Sequence, residues 1–301
     1  MMSVVAELGT DILVIGCDST NVNTGTNGGA IHQLEEMLGY ALQWFIYLLH
    51  TNELPLRHLF QKLDGQTSGS TTFSGHIGKA IQSCEGSSIV NFKPIVDGSG
   101  LPDMPKEVIE DLSRDQQYLY KIVNAIRVGV VCDDLVRQKP GPINHSRWLT
   151  LACRVCRLYV ATEAPHEHLQ ILTHFIVTNY GPNWFSIKCK PTCIDGPKHV
   201  FVATQLTKHL PPSVATIVRP YIARNAYFAH PENILLAMLA DSDMGKRVKA
   251  TDLIMKLRGS PHAELERSDG VRKFKVPDLS FDATDWNDMI SWKKPLLQSL
   301  L

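Results

Sequence analysis

No stretch of the 301 residues holds 18 consecutive apolar side chains, so no membrane-spanning helix is expected and no membrane partner is assigned. The first residues lack the pattern of a signal peptide: Met1 to Leu8 contains no basic residue and includes Glu7. Neither sign of charge prevails, with 30 Lys and Arg against 30 Asp and Glu, which argues against a uniformly basic nucleic-acid binder. A disulfide framework is also missing. Seven cysteines, an odd number at scattered spacing, fit free thiols in a reducing compartment, so the expected location is intracellular, nuclear or cytoplasmic. No internal repeat occurs, and a strand-like segment begins within a dozen residues of Met1, as expected of a chain trimmed from something larger.

The balanced charge conceals an asymmetry. Residues 1–103 carry four basic groups against ten acidic ones, a net of −6, whereas residues 137–224 carry eleven basic against three acidic, a net of +8. Such a split gives the second segment the charge for a DNA contact, or simply an ordinary solvated surface.

Residues 11–17, with the run Ile12-Leu13-Val14-Ile15, read as a buried strand that ends at Gly16 and Asp18. A loop rich in Asn, Thr and Gly follows over 19–29, then an amphipathic helix over 30–39 with Ile31, Leu34 and Leu38 on one face and Gly39 at its end. Leu42 to Leu48 is a second strand candidate. His50 to Leu63 reads as a helix with Pro55 in its first turn. This order gives an α/β part over 1–103, in which 64–78 is a surface loop and 88–105 links outward. From Lys106 the periodicity predicts helices over 106–129, 145–161, 166–180, 198–210, 213–227, 231–240 and 246–257, a helical region over 104–270. Residues 271–301 read as an extended tail docked by its aromatics.

Asp18 is the foremost candidate site residue. A carboxylate at a strand end is well placed to hold Mg²⁺ or Mn²⁺ for phosphoryl transfer, provided that a partner carboxylate exists. It serves equally to organise the turn that follows. His50, between strand and helix, is a metal ligand or a packing residue. Arg147 and Trp148, at a helix start, suit a phosphate and a base face, or else Trp148 anchors the core. Cys153-Arg-Val-Cys156 and Cys189-Lys-Pro-Thr-Cys193 have pieces of zinc-site spacing. The first pair falls inside an amphipathic helix, however, and the gap to the second exceeds finger spacings, so zinc is not expected. Glu232, Glu264 and Glu266 are the late acids available to a metal site.

Three of these motifs, in order, resemble the catalytic region of hAT-superfamily DNA transposases, which have an RNase H-like fold. Asp18 with Asn21 and Asn23, His50 with Asn52 and Leu54, and Ser146-Arg147-Trp148 follow the family's order of strand-end Asp, C-x-x-H helix and T-R-W element. The stretch from Asp18 to Leu59 also resembles uncharacterised transposon-derived animal proteins. The resemblance spans roughly 11–160 and implies a partial RNase H-like α/β part interrupted by a helical insertion. Tyr47 stands where the family has Cys, the residues before Asp11 leave no room for an upstream catalytic Asp, and no late Glu matches a family motif. The expectation is a domesticated, catalytically impaired transposase with Asp18 as a vestigial metal carboxylate and His50 and Asn52 as structural motif residues. Its surviving role would be contact with DNA through 137–224, with protein, or with itself. The alternatives are an interaction scaffold without a nucleic-acid role, or an active metal-dependent nuclease or transposase completed by another chain.

Overall fold

Alternation of apolar side chains over a few residues gives only short strands here, and the rest of the chain is helical. A computed structural model describes residues 12, 14–18, 20–25, 28–67, 72–143, 147–258 and 276–292. The fold is mainly α-helical with a small two-stranded parallel sheet near the N-terminus. The chain divides into two compact units, each discontinuous in sequence: Met1–Thr51, Thr192–Phe201 and Ala223–Leu301 form one, and Asn52–Pro191 with Val202–Ile222 the other.

The first unit opens with β1 (Val14–Cys17), a short helix α1 (Asn21–Thr24) within the expected loop, α2 (Ala30–Leu38) and β2 (Gln43–Ile46). β1 pairs with β2 in parallel, from Val14 opposite Gln43 to Cys17 opposite Ile46. Parallel strands need a crossover, and α2 supplies it. Gly39 ends α2 in the left-handed conformation, φ 77°, which its missing Cβ permits, and its N–H returns to the Glu35 carbonyl. Ile31, Leu42, Trp44 and Ile46 are buried between helix and sheet, with Leu34 and Leu38 packed against them. Glu35 is buried too. Its Oε1 accepts from Leu42 N at 2.9 Å and Trp44 Nε1 at 2.8 Å, and its Oε2 lies 3.2 Å from His32 Nδ1. One carboxylate thereby fixes how the chain leaves α2 and enters β2.

The sequence suggests that β1 is buried; instead its residues alternate between exposed and half-buried, and Val14 is 48% exposed. Among the described residues β1 has a strand on one side only. α3 runs Leu48–Asp64, starting two residues earlier than expected, so Pro55 lies inside the helix rather than in its first turn. The ring deprives the Thr51 carbonyl of its helical donor.

The second unit holds most of α3, then α4 (His76–Ala80), α5 (Lys106–Glu110), α6 (Arg114–Val128), α7 (Asp133–Arg137), α8 (Arg147–Val160), α9 (Glu167–Phe175) and α10 (Gly181–Cys189). α11 (Gly196–Leu206) and α12 (Pro212–Arg224) belong to it in part. The helix expected over 106–129 is two: Gln116 turns back to accept from Ser113 N at 3.1 Å and starts a new helix there. The helix expected to stop at 180 continues. Residues Ile176–Tyr180 form a π turn, in which Gly181 N donates to the Ile176 carbonyl, and this wider turn absorbs Pro182 at the start of α10.

Asp64, at the end of α3, closes the loop expected over 64–78. Its buried carboxylate accepts from Ile77 N at 2.9 Å and Gly78 N at 2.6 Å, capping α4 from a distance. Gly75 is required here because a Cβ would run into Asp64.

The first unit is completed by α13 (Pro231–Leu239), α14 (Met244–Arg258) and the segment 276–292. α13 and α14 pack on each other as sequence periodicity suggests. Trp286, Met289 and Ile290 are buried against Ile234, Leu235 and Met238, and Leu279 bridges to Ile290. Phe45 of β2 stacks on Phe228, ring centroids 5.6 Å apart, joining the sheet to this core. Asp11, Ser146, Glu264 and Glu266 lie outside the described residues, as does the side chain of Arg147. Among the described residues, no helix is long and apolar enough to cross a membrane.

Candidate functional site

A parallel β–α–β unit presents polar residues at the carboxyl ends of its strands, and Asp18 stands there, directly after β1. The carboxylate works locally. Oδ1 accepts from Thr20 N at 3.1 Å, Thr20 Oγ1 at 2.7 Å and Asn23 Nδ2 at 2.7 Å. Together these form the turn that leads into α1. The Thr20 hydroxyl and the other donors hold the Asp18 carboxyl below its ordinary range, with a smaller contribution from the charge of His50. His50 sits in the first turn of α3. Among the described residues, no three His, Cys, Asp or Glu side chains are grouped to hold a metal ion. Glu232, the late acid that is described, opens α13, is buried, and lies 3.8 Å from His230 Nδ1.

Asn52 is a packing polar residue of the second unit. Its Nδ2 donates to the Tyr180 carbonyl in the π turn at 3.2 Å, and its Oδ1 accepts from Asn183 Nδ2 at 2.8 Å. Trp148 is 7% exposed, with the Arg57 guanidinium 5.9 Å from its ring, so it anchors the core.

The basic segment spends part of its charge internally. Arg154, in α8, donates to the carbonyls of Gly141 and Ile81 at 3.0 and 2.8 Å and pairs with Glu85. Arg157 is 2% exposed and donates to the Ser87 carbonyl at 2.9 Å. Arg137 pairs with Asp134, and Lys198 with Asp241. Cys153 and Cys156 are buried on the same helix, and burial raises both thiols far above their ordinary range.

Sequence reasoning missed a second site. A cavity of about 590 Å³ in the second unit is lined by the extended stretch Lys93–Asp97, Tyr159 of α8, Gln170, Ile171 and His174 of α9, the turn His209–Pro211, and Val214 of α12. His174 Nε2 lies 2.6 Å from Asp97 Oδ2. Asp97 is held in turn by Arg127, whose guanidinium donates to the carbonyls of Val96, Asp97, Gly98 and Ser99. Gly98, φ 75°, turns the chain where a Cβ would press on Thr178. The one signal in the sequence was the Asp97-Gly-Ser-Gly turn within a segment otherwise read as a linker.

Comparison with protein-family models, curated proteins and solved structures gives no match for this chain.

Proposed function

We propose that this chain is a binding protein derived from an RNase H-like transposase of the hAT type, in which the metal-dependent chemistry of that fold is lost. The parallel β–α–β unit with Asp18 at the end of its first strand supports the ancestry, because an RNase H-like core would carry a metal carboxylate at such a strand end. The observation that carries the loss of activity is the state of that carboxylate. Oδ1, with three donors from Thr20 and Asn23, is committed to its own turn. Phosphoryl transfer by two Mg²⁺ or Mn²⁺ ions needs several carboxylates converging with open oxygens.

Incubation of the purified chain with plasmid and linear duplex DNA in Mg²⁺ and then Mn²⁺ tests this reading. No cleavage is expected. Metal-dependent cleavage that Asp18→Ala abolishes overturns it in favour of an active nuclease or transposase.

The inherited role is contact with DNA through residues 137–224. A second reading, an interaction protein with no nucleic-acid role, is favoured by one observation: Arg154 and Arg157 are buried and bonded within the fold, so the net charge of that stretch overstates its surface. Fluorescence anisotropy with labelled duplex at two salt concentrations separates the two. DNA binding that weakens steeply with salt supports the first, and no binding at low salt supports the second.

A further inference from the structure

The cavity of the second unit is independent of Asp18 and of the transposase reading. Its buried lining is apolar: Ile95, Leu210 and Val214, with the ring of Tyr159. Its exposed lining carries Lys93, His209, Gln170 and Asp97 beside Pro94 and Pro211, with the half-buried His174 against Asp97. The walls are fastened in advance. The Tyr159 hydroxyl donates to the Lys93 carbonyl at 2.7 Å, Ile95 N to the Ile126 carbonyl at 3.3 Å, and Arg127 clamps the loop beyond. A volume of about 590 Å³ falls within the range of small-molecule sites, which are mostly apolar with a few placed polar groups.

From this arrangement we infer that the cavity binds a small amphiphilic acid, an apolar body carrying one carboxylate, with the body against Ile95, Leu210 and Val214 and the head at Lys93 and His209. Among the described lining residues Asp97 is the only acid, and His174 already engages it at 2.6 Å. The His174 hydrogen bond holds the Asp97 carboxyl below its ordinary range, so it stays ionised and keeps to His174. Lys93 is the only lysine or arginine among the described lining residues, so the cavity offers one fixed positive charge that the Asp97–His174 pair leaves unmatched. That complements one carboxylate better than a phosphate monoester, which carries about two negative charges.

Decanoate, decanol and decyl phosphate are the probes, titrated into the full chain labelled at isoleucine methyls. Decanoate is expected to shift the Ile95 and Ile171 methyls saturably at one per chain, with decanol binding about tenfold more weakly, the size of one charge-assisted hydrogen bond. Lys93→Met is expected to remove that tenfold preference and leave decanol binding unchanged. Val214→Trp should block both ligands. If its methyl spectrum is that of an unfolded chain, Gln170→Trp at the exposed mouth takes its place. No saturable shift with decanoate, equal affinity for decanol, or binding unaffected by Lys93→Met overturns the proposal. Tighter binding of decyl phosphate overturns the carboxylate assignment.

Discussion

Asn23 donates from Nδ2 to Oδ1 of Asp18 across 2.7 Å, so the acid most suggestive of metal chemistry serves as the acceptor that folds its own loop. Asp18→Ala removes acceptors for Thr20 as well and should destabilise the first unit by about 1 kcal/mol, as the loss of a capping acid does. Asn23→Ala should cost less, because Thr20 remains. Urea unfolding of the two variants checks the order. Because the folded Asp18 carboxyl is held low, its contribution is present above the ordinary carboxylate range and is lost on acidification through that range and below, so Asp18→Asn should flatten that part of the stability–pH curve.

Glu35 carries more. Its buried carboxylate accepts from Leu42 N and Trp44 Nε1. Glu35→Ala leaves two buried donors unsatisfied and should cost about 2–4 kcal/mol, read as a shift in the urea midpoint at constant slope. Glu35→Gln, which keeps one acceptor, should recover part of that loss.

Asp64→Ala uncaps α4 by removing the acceptor of Ile77 N and Gly78 N. A loss of about 1–2 kcal/mol is expected, with the chain around residues 65–80 cut first in limited proteolysis. Asp64→Asn should keep most of the protection.

His230 sets a neutral-range pH dependence. Burial lowers its pKa from 6.5, against a smaller raising effect of Glu232. The unfolded chain therefore takes up the proton more readily, so stability is full above about pH 6.5 and falls as the pH drops towards the folded value. His230→Gln should lose this slope between about pH 7 and pH 5.5, measured as the change in urea midpoint.

The cysteines divide by burial. Cys132 and Cys193 are exposed, whereas Cys84, Cys153 and Cys156 are buried with raised thiols. Alkylation followed by mass spectrometry should label the first two under native conditions and the last three only on unfolding.

Local chemistry was legible in the sequence where one segment contains the whole signal. The Ile31, Leu34 and Leu38 spacing with Gly39 marked α2, and the apolar run before Asp18 marked β1. Pro55 misled because a proline reads as the start of a helix, while the long α3 accommodates it in its interior here. Arg154 and Arg157 misled because charged side chains read as solvated, and their carbonyl acceptors at Ile81, Gly141 and Ser87 lie on other segments. The cavity was invisible for the same reason. Lys93, Tyr159, His174 and His209 come from four separate stretches, and only the packing of helices brings them to one cavity. The discontinuous units share this property, since linear composition cannot place residues 192–201 with the N-terminal sheet.

The most direct test of a turn-forming rather than a metal-binding Asp18 is paramagnetic relaxation by Mn²⁺, read at the backbone amides of residues 14–24. Mn²⁺ is expected to produce no saturable, site-specific broadening there, and Asp18→Asn to leave the pattern unchanged. Saturable broadening centred on Asp18, lost in Asp18→Asn and accompanied by DNA cleavage, would contradict the turn-forming role.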